Sequence, residues 1–383
     1  MHTSRHFIGD RYYRPELNVL RCVAFLFVFL RHWLPATSDA RVAALFQQRA
    51  AFFYDAVISS GFGVNLFFAL SAFLICELLL REKQSTKAVA AKDFYIRRIL
   101  RIWPLYYTGL AVGVLYALLR NGDRSSVRSL GWFAIFLSSV EIVRNGWPDN
   151  PMYPLWSISI EEQFYLIVPW LVKFGGRRLL YAGSAFVLIL SNLYLFYLGR
   201  VGVTDSRLAT DPLVQSESFV AGILLCLMLG GRIPKLPAWL RVLLFAAGLA
   251  CWFCAVHWIH GRFVEETNPG SWFLIFGNAL VASGAAMMLL AFLGASLTPG
   301  WAVYLGKISY GMYVFHALVS TIVLNSLPPA ESHRALQYLV KMGIAIGLTV
   351  LAAAISYRYL ESPFLRMKTK YTEVASAQTG FRR

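Results

Sequence analysis

The residues able to do chemistry in this sequence stand in four places, each inside an apolar stretch. In LNVLRCVAFLFVFLRHW, residues 17–33, Arg21 and His32 are separated by ten residues. Their side chains fall within about 20° of one helix face and about 16 Å apart along it. One face then carries a cation at one end and, at the other, an imidazole that gives and takes protons near neutral pH. A substrate with an anionic part and a reactive centre would use both. The plainer alternative is a snorkelling Arg21 and a His32 that belongs, with Arg31 and Trp33, to an interfacial belt.

In FYIRRILRIWPLYY, residues 94–107, Arg98 and Arg101 share a face at the entrance of another apolar segment. A row of arginines there also reads as a positive-inside stop. Their density among Tyr95, Trp103, Tyr106 and Tyr107 suits a phosphorylated, ring-bearing ligand, since guanidinium forks grip phosphate and stack on rings. In PLWSISIEEQFYLIVPW, residues 154–170, Glu161 and Glu162 enter an apolar helix where a carboxylate needs a cation or a proton. Capping by Ser157 or Ser159 explains one acid well and two less well. In GKISYGMYVFHALVS, residues 306–320, Ser309 and His316 share a face with Tyr313 close to it. His316 alone reads as a hydrogen-bonded interior histidine. GVNLFFALSAFLICELLLRE, residues 63–82, is a close-packing segment with small residues at Ser71 and Ala72.

These sites need elements to hold them, and the composition says which kind. Of 383 residues, 57% are hydrophobic and 15% charged, against about a quarter charged in soluble domains. The apolar blocks run about 18 to 25 residues, long enough for a helix to cross about 30 Å of hydrocarbon, and lack the alternation of a barrel strand. Spans are expected near 17–36, 57–80, 102–120, 157–174, 179–198, 212–230, 236–256, 272–293, 301–326 and 336–360. Residues 131–143, GWFAIFLSSVEIV, are too short for a crossing and are expected as a re-entrant or interfacial helix. The expected fold is an all-α polytopic membrane bundle of about ten transmembrane helices.

The 36 Lys and Arg and the net charge of +16 could suggest nucleic acid, but their placement in short loops between apolar blocks reads as topology and no nucleic-acid partner is expected. With the N-terminus inside, on Arg5, Arg11 and Arg14, and 131–143 not crossing, the basic stretches 81–101, 173–178, 232–241 and the tail all fall on the cytoplasmic side. Arg120, Arg124 and Arg128 fall outside and count against this arrangement. Cys22, Cys76, Cys226, Cys251 and Cys254 all lie in apolar segments and read as small hydrophobes, with no metal site expected. No cleavable signal is expected. One membrane domain, 1–366, and a disordered cytoplasmic tail, 367–383, complete the organisation.

The Arg21 to His32 pairing, the GVNLFFALSAFLI block, Arg98 with Arg101, WSISIEEQFY, GKISYGMYVFH and the closing YRYLESPFLR together resemble the acyltransferase 3 family of bacterial membrane proteins. The resemblance runs from about residue 14 to 366. It implies transfer of an acyl group, commonly acetyl, from cytoplasmic acyl-coenzyme A to a hydroxyl of a surface or exported carbohydrate: a lipopolysaccharide, exopolysaccharide or lipid-linked glycan. It implies a bacterial inner-membrane location, and no metal. Some members carry an extracytoplasmic hydrolase-like domain, which this chain is expected to lack. The family's histidine maps onto His32, its arginine onto Arg21 and its paired arginines onto Arg98 and Arg101. The family usually has Asp and Gly where Asn65 and Ala72 stand here, so no charge at position 65 orients the histidine.

Topology and resemblance together lead to an expected mechanism. Arg98 and Arg101 bind the donor phosphates on the cytoplasmic side, and Arg21 steadies the pantetheine or a carboxylate along the same face. His32 acts as general base or transient acyl carrier, with Glu161 or Glu162 orienting it or relaying its proton from the outer side. Asn65, Ser71, Ser159, Ser309, Tyr313 and His316 are expected to contact substrate or support the site. The rival reading is a polytopic glycan transporter or flippase without acyl transfer, for which matching broken repeats would be the sign. Oligomeric state has no signal in the sequence.

Overall fold

The computed structural model describes residues 14–33, 51–119, 124–203, 205–265, 270–326, 334–368 and 371. These residues form helices and no strand. That is what apolar surroundings demand, because a helix satisfies its own backbone N–H and C=O groups where no water can.

In chain order the helices are α1 Pro15–His32, α2 Ala51–Ser59, α3 Gly63–Thr86, α4 Ala91–Leu119, α5 Arg124–Ala134, α6 Ser138–Asn145, α7 Trp156–Val201 and α8 Asp205–Thr210. They continue with α9 Pro212–Leu229, α10 Ala238–Glu265, α11 Ser271–Phe292, α12 Gly300–Lys307, α13 Ser309–Ser326, α14 Arg334–Ser356 and α15 Ser362–Lys368. Local sequence sets their ends. α9 begins on Asp211, whose side chain accepts from the Leu213 N–H, has Pro212 in its first turn, and stops at Gly230 in the left-handed conformation. Asp, Pro and Gly are the residues those three positions favour.

Seven described helices are long and apolar enough to cross a membrane, or eight if the bent pair α12 and α13 is counted as one. The expected count was ten, and the differences have local causes. α1 carries Glu16, Arg21 and Arg31 within 18 residues, more charge than an ordinary span. The stretches 157–174 and 179–198 belong to one element, α7, whose backbone breaks at Gly176 (φ 57°, ψ −135°). The chain reverses there: a methyl added at Gly183 would lie 3.6 Å from Leu171, on the other side of the break. The stretch 301–326 is not one straight helix, since α12 and α13 meet at 72°. Residues 131–143 supply no span: they cover the end of α5, a turn at 135–137 and most of α6, helices of 11 and 8 residues.

α14 runs through a π-helical turn, Tyr357–Glu361, into α15, so helix continues two residues past 366. The remainder of the expected disordered tail, except Tyr371, lies outside the described residues, as do Arg5, Arg11 and Arg120.

α3 is the central post, packed on α1, α7, α9 and α11. Small residues let the helix backbones approach, the usual device where apolar solvent gives no hydrophobic drive to association. An added Cβ at Gly63 would come within 2.6 Å of the Ala24 carbonyl oxygen, and one at Gly222 would overlap that of Ala69. The tightest of these contacts fixes the bend: a Cβ at Gly306 in α12 would overlap the carbonyl of Asn18 in α1. α12 is thus held on α1 one turn before Arg21.

Gly306→Ala is expected to lower the thermal midpoint of the detergent-solubilised protein, overpacking typically costing about 1–3 kcal/mol. Gly343→Ala, where nothing lies within 4 Å of the new methyl, should leave the midpoint unchanged or raised. Equal midpoints for the two variants would contradict the contact.

Candidate active site

One cavity of about 170 Å³ opens between α1, α3, α4, α7 and α13. Arg21, Arg98 and Arg101 all line it, so the structure brings together the three arginines that the spacing had singled out on α1 and α4. The Arg21 guanidinium donates to Asn18 Oδ1 at 3.2 Å. Arg98 lies over the rings of Phe94 and Tyr165, at 5.5 and 5.4 Å from their centroids. Among the described residues none of the three is in an ion pair. Their neighbours are treated otherwise. Arg14 and Arg81 both bind Glu77, at 3.0 and 2.8 Å, and Arg97 binds Glu82 at 3.1 Å.

Glu161 is the one acid lining the cavity. Its two oxygens accept from Ser71 Oγ (2.9 Å) and from the Tyr165 hydroxyl (3.0 Å). Glu162, on the next face of α7, accepts from Trp103 Nε1 at 3.4 Å, and its Oε1 is buried without a partner. The expectation that these acids stand beside His32 is not what the structure shows. Helical advance carries Glu161 down α7 to the level of the arginines and turns Glu162 toward α4.

His32 ends α1. Its Nδ1 is 2.7 Å from the Val28 carbonyl, which can only accept, so Nδ1 carries the proton and Nε2 the free lone pair. Its ring packs against Tyr153 (5.8 Å between centroids) and His316 (4.8 Å). His316 is fully buried and donates from Nδ1 to the Tyr313 carbonyl at 2.6 Å. Sequence separation alone does not reveal this pairing of two histidines from α1 and α13.

Between histidines and arginines stands a hydrogen-bonded layer. The Tyr313 hydroxyl donates to the Pro154 carbonyl (2.9 Å) and meets Ser157 Oγ (2.7 Å). Both residues line the cavity, whereas His32 and His316 do not. The Tyr313 ring lies 5.4 Å from that of His316, so the order in space is arginines, Tyr313, His316, His32.

The remaining expected residues have structural partners. Ser309 Oγ donates to the Gly306 carbonyl across the α12–α13 bend, at the cavity wall. Ser159 meets the Tyr106 hydroxyl at 3.3 Å. Asn65 donates to Gln215 and Ser218, tying α3 to α9. Tyr165, one helical turn after Glu161, and Tyr310 also line the cavity, and the sequence pattern assigns neither of them a role. Glu217, inside α9 and bound by Ser191 and Asn192, was also passed over, despite being an acid in an apolar span. No group of three or more metal-ligating side chains occurs among the described residues.

Residues 14–358 match the family described as an acyltransferase domain. The chain is 26% identical over 367 residues to the peptidoglycan O-acetyltransferase OatA of Listeria monocytogenes, covering 88% of this chain and 56% of that protein. It is 28% identical over 329 residues to the putative peptidoglycan O-acetyltransferase YrhL of Bacillus subtilis, covering 79% and 50%. A putative O-acetyltransferase of Staphylococcus aureus is 25% identical over 383 residues, covering 92% and 57%. The chain thus spans about half the length of these relatives. No solved structure matches it.

Three unpaired guanidinium groups at one cavity should bind a polyanion. Inorganic triphosphate at about 100 times its Kd is expected to stabilise the detergent-solubilised protein by about 2.7 kcal/mol. The accompanying rise in thermal midpoint should shrink in Arg98→Ala and with added salt. An equal rise in the variant would show that the anion binds elsewhere.

Proposed function

The chain belongs to the acyltransferase 3 family, and from that premise we propose that it is a membrane O-acetyltransferase moving an acetyl group from acyl-coenzyme A to a hydroxyl of a surface or exported carbohydrate. The observation that carries this reading is the line of groups from the unpaired arginines, past Tyr313, to the free Nε2 of His32. Arg98 and Arg101 suit the phosphates of coenzyme A because a guanidinium fork meets phosphate oxygens two at a time, and the Tyr165 ring beside Arg98 adds an aromatic face. The donor supplies the activated acyl group. Arg21, one helix face with His32, steadies the donor between them.

At the far end His32 has one task, set by its hydrogen bond. With Nδ1–H committed to Val28, Nε2 accepts the proton of the acceptor hydroxyl as the new ester forms. Glu161, hydrogen-bonded beside the arginines, offsets their charge rather than orienting the histidine. In this reading the arginine end faces the cytoplasm and the His32 end the outer face of a bacterial cytoplasmic membrane, with both termini inside. The two relatives named for peptidoglycan add cell-wall glycan to lipopolysaccharide, exopolysaccharide and lipid-linked glycans as acceptor classes.

Two variants test the two ends. In cells expressing the protein at wild-type level, His32→Ala should lower surface-glycan acetylation by about 10² to 10⁴, the usual contribution of a general base. In membrane vesicles, Arg98→Ala should raise the KM for acetyl-coenzyme A about tenfold or more, as expected for one charged hydrogen bond to phosphate. Full glycan acetylation by His32→Ala would remove it from the chemistry, and an unchanged KM would refute the donor site.

A further inference from the structure

We propose that Phe67 sets the length of the acyl group that the donor site accepts, admitting acetyl and turning away longer chains; this rests on the reading of the cavity as the acyl-coenzyme A site. Its place along α3 comes first. Gly63, which opens α3, lies against Ala24 and Val28 of α1, in the last turns before His32. Further along α3, Ser71 donates to Glu161 at the level of the arginines. Phe67, one turn before Ser71, stands about 6 Å from it along the axis, on the histidine side. With the donor phosphates on Arg98 and Arg101, the acyl group is the far tip of the donor, and this is the end of the cavity it reaches.

The walls there are apolar and braced. Val64, Phe67 and Tyr313 all line the cavity, and Val64 and Phe67, three residues apart, share one face of α3. The Phe67 ring stands edge-on to that of Tyr313, 6.1 Å between centroids and at 73°. Swinging Tyr313 aside would break the hydrogen bonds of its hydroxyl to Pro154 and Ser157. Phe68, next in sequence, is buried and stacked on Phe219. Phe67 is half-buried and, among the described residues, meets no aromatic ring but that of Tyr313. It packs both on the core around the cavity and on the cluster of Phe25, Phe29 and Trp33 that borders His316. Its ring thus divides the two. Acetyl ends in a single methyl, whereas each further methylene presses on a wall where overpacking is costly.

The test sets labelled acetyl-coenzyme A against labelled butyryl-coenzyme A for incorporation into glycan, in membrane vesicles from expressing cells, which contain the native acceptor. Such competition reads the ratio of kcat/KM for the two donors whatever amount of folded protein is present. The wild type should prefer acetyl by about a hundredfold, at about tenfold or more for each added methylene. Phe67→Ala should lower that preference by about tenfold or more, and Phe67→Leu, which keeps more of the packing volume, by less. A role in packing alone would slow both donors equally and leave the ratio unmoved. An unmoved ratio in Phe67→Ala overturns the proposal, and so does a wild type that takes butyryl as readily as acetyl. If Phe67→Ala fails to fold, Phe67→Leu decides, with propionyl-coenzyme A as the longer donor. Acetyl incorporation with an unmoved ratio removes only the role of Phe67; incorporation from neither donor removes the reading of the donor site with it.

Discussion

A guanidinium group in an apolar bundle must find an acid, a set of carbonyls or an anion from outside, because hydrocarbon offers neither water nor counter-ions. This chain uses all three solutions. Arg14, Arg81 and Arg97 meet Glu77 and Glu82. Arg241 is satisfied by the carbonyls of Pro234, Leu236, Ala291 and Leu293, which ties the start of α10 to the end of α11. Arg21, Arg98 and Arg101 receive neither treatment. They face one cavity with a single carboxyl, and that carboxyl is already engaged by Ser71 and Tyr165. A bundle that pairs Arg14, Arg81, Arg97 and Arg241 and leaves these three together at one cavity is arranged for an anionic guest.

The cavity exists because the helices around it are broken and pressed close. α12 touches α1 through Gly306, where no side chain could fit, and the chain then turns by 72°. Ser309 takes up the carbonyl freed at the bend, as irregular backbone inside a membrane protein requires. The turn sends Tyr310 and Tyr313 into the cavity and carries His316 to His32. On the opposite wall, Tyr106 and Gln163 hold the carbonyls of Phe133 and Phe136, so the short helices α5 and α6 close the side of α4 and α7. Packing of glycine on carbonyl thus brings α13, with Tyr313 and His316, against α1.

Much of this was legible in the sequence, and the reasons for what was not are physical. Helical periodicity and rise place Arg21 and His32 on one face, and the same rule applied to Arg98 and Arg101 puts them where the cavity opens. Apolar block length separates the short 131–143 segment from the spans. Depth along a helix was harder. Glu161 and Glu162 follow the start of α7 closely in sequence, but each residue advances about 1.5 Å and turns about 100°, so Glu161 reaches the arginines and Glu162 another face. Reversal at Gly176 and the bend at Ile308 occur inside apolar runs whose hydropathy does not change there. The His32–His316 contact joins α1 to α13, and no local pattern encodes a pairing of that range.

The layer between cavity and histidines bears on how any group could pass. Tyr313 is held by Pro154 and Ser157 on one side and carries His316 on the other. In the proposed reaction, a thioester held by the arginines and a hydroxyl approaching His32 would have this residue between them. Such a partition has a chemical use. If the cavity were continuous with the His32 end, water would reach the thioester as readily as a sugar hydroxyl does, and at far higher concentration. In the proposed reaction Tyr313 would shield the thioester from water entering at the His32 end.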